Sequence, residues 1–147
     1  MIAQAKTVRM LFVIALAIYL GGFTFYSLAV IPILHERLAS AFEAGLITQE
    51  VTNALNGLGV ITLSLGWLAC WAEGRSLPHD GRGRVWQWSA LAVSSICLVA
   101  LFVLHGVLDR KLESGTGLGF YRWHRAYLWA STIQWIANLG LLVHSAK

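Results

Sequence analysis

Four apolar stretches free of charged side chains dominate the chain, at residues 10–34, 51–72, 85–108 and 126–146. A hydrocarbon core of ~30 Å is crossed by about 20 helical residues, so each stretch predicts one transmembrane helix. The polar, glycine-containing segments GRSLPHDGRGR and DRKLESGTGLG follow the second and third stretches. Connections that short place successive helices side by side and antiparallel. The expected fold is all-α: one membrane domain over residues 1–147, a four-transmembrane-helix antiparallel bundle. After the first stretch, ERLASAFEA keeps a helical pattern, with Gly45 suited to end that helix and Thr48 to cap the next. A helix over residues 7–44 would be ~57 Å long at ~1.5 Å per residue, longer than the bilayer, and Pro32 is its natural bend. The first helix is therefore expected to be extended or kinked.

Polar residues inside the apolar stretches indicate which helix faces turn inward, because a polar group in hydrocarbon needs a partner. In the fourth stretch and its approach, His124, Tyr127, Ser131, Gln134 and Asn138 recur every three or four residues and form one stripe. Asn53, Asn56 and Ser64 lie near a similar stripe in the second, where Gly57 and Gly59 permit close helix approach. Gln87, Ser94 and His105 fall on one face of the third, and Thr24 and Ser27 accompany Gly21 and Gly22 in the first. Two uses of such residues stand open. They can tie helices together, each interhelical hydrogen bond contributing ~0.6–2 kcal/mol. Alternatively they line a polar path, as in a small transporter built around Asn53, Asn56, Gln134 and Asn138; four spans make a narrow bundle, so that version calls for an oligomer.

Composition supports lipid as the main solvent: 57% of residues are hydrophobic and 12% charged, against ~25% charged in soluble domains. The formal net charge of +4 is spread over the ends of the apolar stretches. That placement suits headgroup anchors and excludes a nucleic-acid footprint. Lys6, Arg9, Arg75, Arg82, Arg84 and Lys147 fall on one side, and Arg37, Arg110, Lys111, Arg122 and Arg125 on the other. This near-balance leans towards cytoplasmic termini. Trp67, Trp71, Trp86 and Trp88 at one interface, with Tyr121 and Trp123 at the other, read as aromatic belts. Cys70 and Cys97 sit at different depths inside apolar stretches and read as packing residues. The first stretch outruns a signal peptide and lacks its cleavage pattern, so it is expected to be retained.

Antiparallel threading brings His35, His105 and His124 to the same membrane face, and His79 and His144 to the other. Asp109 lies one helical turn after His105, where it can orient the imidazole, and Glu36 adjoins His35. Imidazole suits haem iron and transition metals, so His35, His105 and His124 are candidate ligands for haem b or a metal ion. In that reading Glu36, Asp109 and Tyr127 support the ligands, and Arg125, one residue from the polar stripe, holds an anionic group of the cofactor. The alternative is three interfacial histidines, each hydrogen-bonded locally, with Arg122 and Arg125 reaching for lipid headgroups.

The segments GGFTFYSLAVIPILHERL, GLITQEVTNALNGLGVITL and FYRWHRAYLWASTIQWIANLGLL together resemble a bacterial four-helix membrane family of unknown function. Its eukaryotic relatives are small transmembrane proteins associated with cisplatin tolerance. The resemblance implies the four-helix fold and a membrane location, and carries no reaction with it; the bacterial inner membrane is the expected location. GGFTFYSLAVIPILH is also similar to the first helix of the membrane protoporphyrinogen oxidase family, which would make His35 a haem-binding residue. The later Asn-Glu-x-Pro signature of that family is absent, so only His35 carries over. Without a complete catalytic motif, the first expectation is a structural or accessory subunit. Its partners would be the lipid bilayer and either other membrane subunits or further copies of itself.

Overall fold

The apolar stretches are helical throughout the computed structural model, which describes residues 2–38, 40–76, 81–113 and 118–145. Helix α1 (Ile2–Phe25) passes through a π-helical turn (Tyr26–Val30) into α2 (Ile31–Arg37), and α3 (Ala41–Ser76), α4 (Gly81–Glu113) and α5 (Leu118–Ser145) follow. Counting α1, the π turn and α2 as one rod, four rods are long and apolar enough to cross a membrane. This is the build of a small polytopic membrane protein. Helix α1 packs on α3, α3 on α4, α4 on α5 and α5 back on α1. The four antiparallel rods therefore form a ring. Residues 77–80 and 114–117, in the two connections read from the sequence, lie outside the described residues, as do His79 and Lys147.

The first rod is long, as expected, but ends at Arg37 instead of running on to Ala44. Leu38 leaves the helix with φ −91° and ψ 141°, and Ser40 Oγ accepts the Glu43 N–H at 3.2 Å. Ser40 followed three residues later by Glu43 is an N-terminal capping signature, and it starts α3 instead of letting the first helix run on. Gly45 and Thr48 consequently sit inside α3, where the Thr48 hydroxyl donates to the Gly45 carbonyl at 2.8 Å. Apolar periodicity alone could not separate one long helix from two helices in phase. Residues 41–44, expected in the first helix, belong to α3, whose 36 residues extend about 54 Å at ~1.5 Å each.

Pro32 acts where the sequence placed the bend, through a change of helix type. Its ring would crowd the carbonyl four residues earlier, and it has no N–H to donate. The preceding turn widens to an i→i+5 pattern, in which the Ile31 N–H bonds to Tyr26 O.

The helices close over small residues. A Cβ on Gly66 would come within 2.8 Å of both Phe12 of α1 and Leu91 of α4, and one on Gly59 within 3.3 Å of Leu98 and 3.4 Å of Tyr19. Gly59 thus serves as anticipated. Gly57 does not, since a Cβ there would meet nothing within 4 Å. Phe12, Leu16, Leu91 and Leu141 fill the interior, and Cys70 is buried with them as a free thiol. Large apolar side chains such as Leu28, Phe25, Ile96 and Trp129 cover the outside, while Asn56, Thr62, Ser94, Gln134 and Asn138 are buried. That inversion of the usual soluble pattern follows from lipid as solvent.

Candidate functional site

Helix α5 carries a ladder of buried polar side chains, and its successive rungs reach different neighbours. Asn56 Nδ2 of α3 donates to the Tyr127 hydroxyl at 3.4 Å. Tyr19 of α1 donates its hydroxyl to Gln134 Oε1 at 3.1 Å. Ser94 of α4 donates to Asn138 Oδ1 at 3.0 Å. Between them, the Ser131 hydroxyl turns back to the Tyr127 carbonyl at 2.9 Å. The three-and-four spacing on α5 thus becomes a spine bonded in turn to α3, α1 and α4. Two indoles add cross-helix bonds, Trp135 Nε1 to Thr24 Oγ1 and Trp67 Nε1 to Ser95 Oγ, each at 3.1 Å. Gln134 Nε2 is the one buried side-chain polar atom without a partner among the described residues.

Asn56, Tyr127, Ser131, Gln134, Asn138 and Ser94 therefore occupy the interior expected of them. Asn53 does not: it is exposed, because the α3 surface that carries it faces a groove instead of the bundle axis. His124 likewise lies outside the ladder, exposed and stacked on Phe120 at 5.8 Å with ring planes 11° apart. Tyr19 and Trp135 had not been singled out from the sequence. The available signal was a hydroxyl and an indole N–H at mid-span, far from the headgroups that would otherwise satisfy them. Trp67, expected in an aromatic belt, is half-buried, bonded to Ser95 and set edge-on to Trp88 at 5.2 Å.

At the face of the three histidines, each ring is engaged separately. His35 is exposed, and its Nδ1 lies 2.9 Å from the Ile31 carbonyl of its own helix. His105 Nε2 stands 3.7 Å from Asp109 Oδ2, the pairing expected from their spacing. That separation is too long for a hydrogen bond and attractive when the imidazole is charged. His105 also sits beside Tyr127, with ring centroids 6.4 Å apart. Glu36, Arg122 and Arg125 are exposed. Beside His105, a groove of about 370 Å³ is lined by Leu46, Gln49, Glu50 and Asn53 of α3 and by His105 and Asp109 of α4. His35 and His124 are absent from its lining. Among the described residues no three His, Cys, Asp or Glu side chains gather at metal-binding reach. The three rings share a membrane face without gathering into a three-ligand metal set among the described residues.

The opposite face holds a cluster that sequence reasoning missed. Arg9 of α1 donates from Nη2 to the Ser145 carbonyl at the end of α5 at 2.7 Å. Its Nε lies 3.8 Å from Glu73 Oε1 of α3. Glu73 is only 8% exposed. The Arg84 guanidinium of α4 lies over Gly74, where a Cβ would approach its Nη2 to 2.5 Å. All four rods meet here. The sequence signal was an acid one residue beyond an apolar stretch, at the depth of Arg9 across the bundle.

No family model, no curated protein and no solved structure matches this chain.

Proposed function

We propose that this protein is a structural or accessory subunit of a membrane assembly, seated in the bacterial inner membrane with both termini in the cytoplasm. The observation that carries this reading is the use of the buried polar side chains. Asn56, Tyr127, Tyr19, Gln134, Ser94 and Asn138 are spent in pairs that join helices. A reactive or ligand-holding centre instead turns several polar groups onto one shared space. The outer surface offers large apolar side chains at bilayer depth, suited to lipid and to other transmembrane helices alike. The resemblance to a four-helix membrane family agrees with the membrane location and adds no chemistry.

Extraction of the tagged protein in mild detergent, followed by mass measurement of the intact particle, tests the proposal. A particle heavier than one chain, with membrane proteins in fixed ratio, is the expected result. A lone monomer in lipid-like detergent would remove the proposal. An absorption spectrum recorded before and after dithionite supplies the second arm. A stoichiometric band that shifts on reduction would replace the accessory reading with a redox one.

A further inference from the structure

We infer that the bundle is built to open at one end only, with the Arg9–Glu73 face as its fixed end and the His105 face as the end where α3 and α4 part. This inference is independent of any partner assembly.

The seam between α3 and α4 shows the asymmetry along its own length. Towards the fixed end, Gly66 receives Leu91 so closely that a Cβ would stand 2.8 Å away. Trp67 bonds to Ser95 at 3.1 Å and packs edge-on against Trp88. Towards the other end, the same two helices line the groove of about 370 Å³. Its lining carries two carboxylates from opposite helices, Glu50 of α3 and Asp109 of α4. Two like-charged side chains lining one gap oppose its closure.

The charged contacts repeat the pattern. At the fixed end Arg9 of α1 reaches both α3 and α5, and parting α1 from α3 would strand the buried Glu73 carboxylate without its cation. At the opening end, four contacts of charged and histidine side chains stay within one helix each. His35 bonds to Ile31, Arg110 Nε donates to Gly106 O at 3.0 Å, His105 faces Asp109, and His124 stacks on Phe120. Separation of α3 from α4 leaves all four contacts intact. Two cross-helix bonds at this end, Tyr26 to Thr48 O and Asn56 to Tyr127, are each long at 3.4 Å. Neither joins α3 to α4. Opening would therefore carry water from the groove to the Asn56–Tyr127 rung and stop where Gly66 and Trp67 seal the seam.

Hydrogen–deuterium exchange of the full chain in lipid nanodiscs tests this, comparing amides of residues 46–56 and 101–109 with those of residues 63–73 and 85–95. The groove end is expected to exchange about tenfold faster or more, since local opening sets exchange. The Glu50→Gln/Asp109→Asn double variant should slow exchange at the groove end by roughly threefold and leave the other end unchanged, because like-charge repulsion is removed. Equal exchange at the two ends of the native protein would overturn the inference. So would a double variant that exchanges as fast as the native protein. Glu73→Gln supplies a check on the clamp, with faster exchange expected only at residues 63–73 and 85–95. A variant that loosened both ends alike would contradict a local clamp, and the native comparison stands even where that variant fails to fold.

Discussion

Helix α5 is held to its two ring neighbours by different means. Against α4 it packs: Trp86 rests on Gly140, where a Cβ would approach its ring to 3.0 Å. Leu101, Leu104 and Leu108 of α4 cluster with Phe120, Tyr127 and Ala130 of α5. The Ser94–Asn138 hydrogen bond adds a polar side-chain link there. Against α1, three polar contacts span the seam: Tyr19 to Gln134, Trp135 to Thr24, and Arg9 to the Ser145 carbonyl. Beside them runs an apolar crevice of about 530 Å³, bordered by Ala17, Gly21, Leu28, Trp135 and Leu139 among others. A Cβ on Gly21 would meet nothing within 4 Å. In lipid, two apolar helix faces gain little merely by leaving their solvent, so association rests on close fit or on hydrogen bonds. The α4 seam uses fit. The α1 seam lacks it and uses hydrogen bonds.

The largest test of this contrast is Gly140→Leu, which forces Trp86 out of its notch. It is expected to lower stability by about 1–3 kcal/mol, the range for overpacking, read as a drop in the thermal unfolding midpoint in detergent. Tyr19→Phe should follow at about 1–2 kcal/mol, because it leaves Gln134 with no partner for either polar atom. A double-mutant cycle with Gln134→Leu isolates the bond, with a coupling of ~0.6–2 kcal/mol expected. Coupling near zero would mean that the α1 seam is held by something other than this rung. Trp135→Phe should lower the same midpoint by less, about 0.6–1 kcal/mol, since its ring still packs and only the Thr24 bond is lost. Gly21→Ala completes the series with a gain of roughly 0.5 kcal/mol, from helix propensity at a site with open space. A loss there would show the crevice to be tighter than its geometry.

The candidate site was legible in part, and what could be read was local. The α5 stripe needed only three-and-four spacing, and the His105–Asp109 pairing only one helical turn. Tyr19 as partner of Gln134, Trp135 as partner of Thr24, and Glu73 beneath Arg9 depend on how far each helix is turned and slid against its neighbour. For the same reason three histidines assigned to one membrane face kept apart. Threading fixes their depth, while helix rotation points each ring to its own neighbour.

By itself the sequence determined four apolar spans, their antiparallel order and the inward stripe of α5, because bilayer thickness, short connections and helical period act along the chain. It also contained the Ser40–Glu43 cap that starts α3, though apolar periodicity obscured it. Tertiary structure alone decided which rungs pair, where the α3–α4 seam seals and where it stays open. Those outcomes turn on ångström-scale approach over Gly59 and Gly66, and one-dimensional periodicity carries no record of the neighbour that will fill the space a missing Cβ leaves.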